Sequence, residues 1–273
     1  MNDWLEIHRG DAPLVVAFPH TGTILPAPVD SKFRSDWLAR KDADWWIHEL
    51  YDFALAMGAT TVRTQVSRSV IDVNRDPSGA SLYPGQATTA LCPTETFDDE
   101  PLYVEGSEPD DEEIARRRAF YFDPYHEALS GELERLRAMH GRVVLYDAHS
   151  IRSVVPRLFD GILPQFNIGS FDGASCAQLL TDAIAEIAAA SPYDHVVNGR
   201  FKGGWTTRHY GRPANGIHAI QMELACRGYL HEPEEPFTEA NWPAPYDAGH
   251  AAPLRAALTD MLQACITFAR GHS

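Results

Sequence analysis

The sequence predicts an α/β domain whose sheet is covered by helices on both faces. Three observations carry this. Short, almost wholly apolar runs, such as Pro13–Phe18 (PLVVAF) and Arg142–Tyr146 (RVVLY), read as strands buried on both sides. They alternate with segments whose apolar residues recur at helical spacing. No repeat, low-complexity tract or linker interrupts the 273 residues, so 1–273 is expected to be a single domain where length alone allows one or two.

The elements follow in order. Pro13–Phe18 ends at Pro19 and opens into a loop. Ile47, Leu50, Tyr51 and Ala54 share one face of a predicted helix that Gly58 caps. Thr60–Val66 (TTVRTQV) is rich in β-branched residues and predicts a second strand, and Val70–Val73 (VIDV) a third. Residues 76–110, with many Gly, Pro, Thr and Asp, predict a long ordered loop of the kind that carries function. Asp110, Asp111, Glu112 and Glu113 suit the positive end of a helix dipole. That helix is expected to break or kink at Pro124 and to run on through Tyr125, Leu129, Leu133 and Leu136 to Gly141. Arg142–Tyr146 is then a strand, Cys176–Ala190 a helix with Leu180, Ile184 and Ile187 inward, and His195–Val197 and Gly216–Leu224 are strands. Pro253–Arg270 closes the chain as a helix that buries Leu254, Leu258, Met261, Cys265 and Phe268 or Ala269.

Composition narrows the function. The 44% hydrophobic and 22% charged residues belong to a globular protein, and no apolar run reaches the length of a membrane span. With 23 basic against 38 acidic residues the chain carries −15, which argues against nucleic-acid binding. A small anionic substrate remains compatible, because a few buried Arg can set a local field opposite to the net charge. The start Met1-Asn2-Asp3-Trp4 lacks the basic-then-apolar pattern of a secretory signal. Cys92, Cys176, Cys226 and Cys265 form no C-x-x-C pair and are expected as reduced, mostly buried thiols of a cytoplasmic protein.

G-x-S-x-G, G-x-G-x-x-G, Walker and H-E-x-x-H motifs are all missing. What remains are polar residues at the C-terminal ends of predicted strands, where open α/β sheets build their sites. His20, in Pro19-His20-Thr21-Gly22, leaves the first strand and could bind a metal, act as a base or simply pack. Asp147-Ala148-His149-Ser150 follows a later strand; Asp147 could equally cap a turn. Two His at the ends of separate strands form a pattern that zinc sites use, and a third ligand could come from Asp42 or Asp44, unless these merely cap the next helix. Arg68 and the Asn74-Arg75 pair could hold a carboxylate, or Arg could pair with Asp72 or Asp76. Arg152 adds a guanidinium near His149. The glycine-rich stretches Gly199–Gly204 and Thr207–Gly211 bring Arg200, Lys202, Arg208 and His209 into an acidic chain, either for anion recognition or as a solvated loop. Glu223 lies in an apolar strand, where it needs either a structural Arg or a metal beside it.

Taken in order, Pro19-His20-Thr21-Gly22, Asp44, Ser67-Arg68, Val70 to Arg75, Asp147 to Arg152, Leu158 to Gly161, Asn198 to Gly204 and Thr207 to Pro213 resemble the N-formylglutamate amidohydrolase family. The likeness runs from about Leu14 to Tyr229. It implies a three-layer α/β/α fold with a mixed central sheet, similar to zinc carboxypeptidases and other phosphorylase/hydrolase-like folds. It also implies that His20 and His149 ligate Zn²⁺ or another divalent transition metal, that Asn74 and Arg75 hold a substrate carboxylate, and that Glu223 is the general base. Carboxypeptidases take a further ligand from a Glu three residues after the first His. Position 23 here is Thr, so the acid is assigned to Asp44. The implied reaction is hydrolysis of N-formyl-L-glutamate to formate and L-glutamate in histidine degradation, with Arg68, Arg152, Lys202 and Arg208 assisting Arg75 at the two carboxylates. The rivals are a hydrolase of another N-acyl amino acid or peptide, a non-catalytic metal- or anion-binding protein on the same fold, and a Ser amidase using Ser150.

Overall fold

A computed structural model describes residues 3–81, 85, 88–234 and 236–271. Among them the strands are β1 (Leu5–His8), β2 (Leu14–Phe18), β3 (Thr60–Thr64), β4 (Val143–Ile151), β5 (Phe166–Gly169), β6 (His195–Val197) and β7 (Ile217–Ala225). The α-helices are α1 (Ile47–Leu50), α2 (Phe53–Ala56), α3 (Asp111–Arg117), α4 (Asp123–His140), α5 (Gln178–Ala190), α6 (Trp205–Tyr210) and α7 (Ala248–Ala269). One sheet joins all seven strands in the order β1-β3-β2-β4-β7-β5-β6. β3, β2, β4 and β7 are parallel, whereas β1 runs antiparallel to β3 and β5 to β7. The sheet is therefore mixed.

Side-chain alternation along the buried strands produces the three layers. Leu14, Val16 and Phe18 face one way, with Tyr146 and Met222, and pack against α1, α2, α5 and α7. Val15, Ala17, Val143 and Leu145 face the other way and pack against Tyr125, Leu129, Leu133 and Leu136 of α4. Every residue of β2, β4 and β7 is buried, which explains the unbroken apolar runs of β2 and of β4 from Val143 to Tyr146.

Several predicted elements change on folding. Val70–Val73 is no strand but a buried turn: Val70 N–H donates to Ser67 C=O (2.9 Å), and the apolar side chains enter the α4-side core. β4 does not stop at Tyr146; its nine-residue parallel pairing with β7 carries it to Ile151. The helix predicted around Ile47–Ala54 is two short helices, α1 and α2, yet all four of its inward residues are buried and Gly58 adopts φ +76° after it. Pro124 does not break its helix. It occupies the first turn of α4, where its missing N–H costs nothing, and a wider turn over Arg118–Phe122 joins α3 to α4. α7 begins at Ala248, ahead of Pro253, because Asp247 accepts from the N–H groups of Gly249 and His250.

The expected loop of 76–110 lies partly outside the described residues, at 82–84, 86 and 87, as do Met1 and Asn2 of the start. All four cysteines are buried and unpaired. No helix among the described residues is long and apolar enough to cross a membrane.

Candidate metal centre and active site

The C-terminal ends of the parallel strands open into a cavity of about 320 Å³. His20 arrives two residues after β2, in a loop that Gly22 permits. A Cβ at Gly22 would lie 2.4 Å from the backbone of Gln65 and Val66, so only glycine lets this loop cross the end of β3 so closely. Asp44 precedes α1 and is tied to the same loop, its N–H donating to His20 C=O at 2.9 Å. Asp147 and His149, two apart on β4, point to one face, and His149 is level with Glu223 on β7.

The two imidazoles are oriented by carboxylates behind them. His20 Nε2 lies 2.6 Å from Asp72 Oδ1, and His149 Nε2 lies 3.1 Å from Asp147 Oδ1. With each Nε2–H donating outward, each Nδ1 turns its lone pair inward. These Nδ1 atoms are 3.2 Å apart, and Asp44 Oδ2 lies 3.3 Å from that of His149 and 3.8 Å from that of His20. His20, Asp44 and His149 thus offer three ligand atoms within 4.8 Å of one another, all buried. Three inward donors with carboxylates on the outer nitrogens are the arrangement of a divalent metal site, and two nitrogens with one oxygen suit zinc. Asp42 does not join them; its Oδ2 accepts the Phe97 N–H at 2.7 Å.

Electrostatics separate the two histidines. Burial and the neighbouring Arg68 guanidinium press His20 down to about 4, which keeps it neutral and able to ligate. Burial also opposes charge on His149, but Asp147 and Asp44 outweigh it and raise His149 well above the usual imidazole range. Asp72 is held well below the ordinary carboxylate range in spite of burial, by Arg75, His20 and Arg68. Burial lifts the Glu223 carboxyl to about 8, and its Oε2 accepts from Gln221 Nε2 at 3.1 Å. Arg68 bridges the two acids, donating to Asp72 Oδ2 at 2.8 Å and to Asp44 Oδ1 at 3.5 Å, with the Phe97 ring beneath it.

The comparisons with known proteins agree across the chain. The N-formylglutamate amidohydrolase family profile matches residues 12–230. The chain belongs to the N-formylglutamate amidohydrolase family. A Pseudomonas putida protein named N-formylglutamate deformylase is 45% identical over 269 residues, covering 98% of this chain and 97% of its own. Another of that name from Pseudomonas aeruginosa is 44% identical over 271 residues, covering 99% and 98%. The fold also matches a crystal structure of N-formylglutamate amidohydrolase from Ralstonia eutropha JMP134, with a TM-score of 0.80 at 24% identity over 98% of this chain and 99% of that one. A gene product from Agrobacterium tumefaciens matches with a TM-score of 0.70 at 17% identity over 97% and 95%. At these identities the two structures speak for the fold.

Within this N-formylglutamate amidohydrolase fold, His20, Arg68, Asn74, Arg75, His149 and Glu223 all line the cavity. Asp44 lies just beneath, as the partner of both histidines. The other expected cations do not line it. Arg152 pairs with Asp98 (2.9 Å) and Asp42 (3.5 Å) and lies over the Phe237 ring. Lys202 meets the exposed Asp172 (3.1 Å), and Arg208 donates to Gly203 C=O (2.8 Å) and stacks on Phe171. Arg200, from the same glycine-rich stretch, does line it. Ser150 donates its N–H to Asp44 Oδ2 (3.0 Å), and its Oγ is bound to the Tyr229 hydroxyl (2.7 Å). Asp72 and Gln221 join the site without being among the residues the sequence predicts for it. Asp72 carries the same signal as Glu223, an acid between apolar neighbours, Ile71 and Val73.

Proposed function

We propose that this chain is a metal-dependent amidohydrolase that converts N-formyl-L-glutamate and water to formate and L-glutamate. The observation that carries this is the convergence of His20 Nδ1, His149 Nδ1 and Asp44 Oδ2 at the floor of a cavity that also holds Glu223. The substrate is supported by relatives named N-formylglutamate deformylase along nearly the full chain.

His20, Asp44 and His149 would hold the ion, with zinc favoured by the donor set. When bound, it supplies Lewis acidity that acidifies water and draws charge from the formyl carbonyl. Asp72 and Asp147 keep both imidazoles in the ligating tautomer. Glu223 takes a proton from water as the water oxygen bonds to the formyl carbon. It returns that proton to the amide nitrogen as the C–N bond breaks. An acid raised to about 8 by burial is suited to both taking up and giving back a proton near neutrality. Arg75 and Arg68, with Arg200 in the same wall, provide the positive side of the cavity for the two carboxylates.

We read residues 1–273 as one domain, because its one sheet takes strands from Leu5 to Ala225 and α7 closes over it. Four unpaired buried cysteines fit work in the cytoplasm, and the product glutamate fits a histidine-degrading route. Formate released from N-formyl-L-glutamate by the purified protein, compared with acetate released from N-acetyl-L-glutamate, tests the substrate. Equal turnover of the two would favour a general N-acyl amino acid hydrolase.

A further inference from the structure

We propose that Gln221 is a positioning residue for Glu223: its amide NH₂ occupies Oε2 of that carboxyl and leaves Oε1 as the atom that takes and returns the proton. The inference rests on the amidohydrolase reading above and adds which oxygen acts and what aims it. It starts from the two ends of the Gln221 amide. Gly204 N lies 2.6 Å from Gln221 Oε1, and a backbone N–H can only donate, so this end of the amide is its oxygen. The NH₂ end must then point the other way, where it lies 3.1 Å from Glu223 Oε2. A carboxyl oxygen accepts from this donor whether or not the group holds a proton. A proton on Oε2 would compete with that N–H for the same space. Glu223 Oε1 takes no hydrogen bond among the described residues, and Glu223 lines the cavity.

The anchor of the amide is independent of Glu223. Gln221 and Glu223 are two apart on β7 and share its cavity face, while Met222 between them enters the opposite core. Gly204, which fixes the oxygen end, is itself wedged. A Cβ there would stand 2.5–2.8 Å from Asn74 Nδ2, Oδ1 and Cγ, so the close approach requires glycine. Two residues on, Thr206 N–H donates to Asn74 Oδ1 at 2.8 Å and locks the same turn. Gln221 is 4% exposed, and an amide with these two partners has one orientation. Glu223 is thus aimed from its own strand and from the start of α6. In the reaction a water proton moves to Oε1 as the water oxygen bonds to the formyl carbon. Oε1 gives that proton to the amide nitrogen as the C–N bond breaks. The other water proton leaves with the formyl group as formic acid, which ionises in solution.

The test is a double-mutant cycle on the zinc-loaded protein: Gln221→Met, which keeps the length and loses the amide, Glu223→Gln, and the two together. Formate release from N-formyl-L-glutamate gives kcat and KM, and competition with a chromophoric chelator gives zinc affinity. Misplacing a reacting group by about 1 Å can cost ~10²-fold, so Gln221→Met should lower kcat by ~10–100-fold. KM and zinc affinity should stay at their wild-type values, since the contact aims a group that acts only in the transition state. In the Glu223→Gln background there is no base left to aim, and the same substitution should change kcat by no more than about twofold. A second loss of ~10–100-fold in that background would overturn the proposal, as would weakened zinc binding or a wild-type kcat in Gln221→Met. Gln221→Glu carries the test should Gln221→Met not fold. It keeps an acceptor for the Gly204 N–H and sets a second carboxyl against Oε2, where the two groups hold one proton between them. Lost turnover with zinc bound supports the proposal, and wild-type turnover overturns it. A wild-type protein that releases no formate would instead defeat the amidohydrolase reading, a result separate from the comparison of variants.

Discussion

Asp72 Oδ1 and His20 Nε2 stand 2.6 Å apart in the interior, and this contact aims His20 Nδ1 at Asp44 and His149. The carboxylate is in turn held by Arg68 at 2.8 Å and Arg75 at 3.5 Å. One acid thus fixes the orientation and tautomer of His20 and gathers two guanidinium groups on the positive side of the cavity. Asp72→Asn keeps the shape and removes the charge. It should weaken zinc binding by ~10–100-fold, measured by chelator competition. Unchanged affinity would show that the backbone alone orients His20.

Glu223→Gln should stay folded and bind zinc, since the amide replaces the carboxylate without a change of shape. Turnover of N-formyl-L-glutamate should fall by ~10²–10⁴-fold, the range for loss of a general base. A folded, zinc-loaded variant with near-normal turnover would remove Glu223 from the mechanism.

Arg75→Lys keeps a positive charge but loses the planar fork that donates to Thr89 and to Asn74 C=O. A loss of about 1.5–3 kcal/mol in kcat/KM is expected, mostly in KM if the contact is equal in ground and transition states. An unaltered kcat/KM would place Arg75 outside substrate recognition.

Acid sensitivity should be visible at His126, which is far less basic in the fold than in the unfolded chain. Burial lowers it to about 3 from 6.5. Between these values the unfolded chain binds the extra proton and the native state does not. The stability contribution is therefore complete above pH 6.5 and is lost as pH falls toward 3, by up to about 1.4 kcal/mol per pH unit. His126→Gln should flatten the fall, read from urea unfolding at pH 7 and at pH values near 5. Parallel pH slopes in the two proteins would contradict this.

The sequence-legible part of this protein is the part written in apolar residues. The runs of β2 and β7 and the spacing of α4 are buried nearly to their ends, so periodicity alone locates them. β4 was legible only to Tyr146, because Asp147 and His149 interrupt the apolar run and pairing with β7 is what extends the strand. Val70–Val73 misleads in the opposite sense: apolar at Val70, Ile71 and Val73, it is buried as a turn. Spacing could not separate Asp42 from Asp44. The fold does so through contacts remote in sequence, with Asp44 meeting His20, His149 and Ser150 while Asp42 meets Phe97 and Arg152. The same holds for the cations, since nothing local distinguishes Arg200, which lines the cavity, from Lys202 and Arg208, which do not.

Hydrolysis should require an ion held by His20, Asp44 and His149, and removing and returning the metal measures this directly. Formate release from N-formyl-L-glutamate is followed on the purified protein, after removal of metal by a chelator, and after one equivalent of Zn²⁺ is returned. The expected result is formate from the loaded protein, its loss after chelation and its recovery with zinc, and no recovery in His20→Ala or His149→Ala. Full activity in protein stripped of all divalent metal would contradict it.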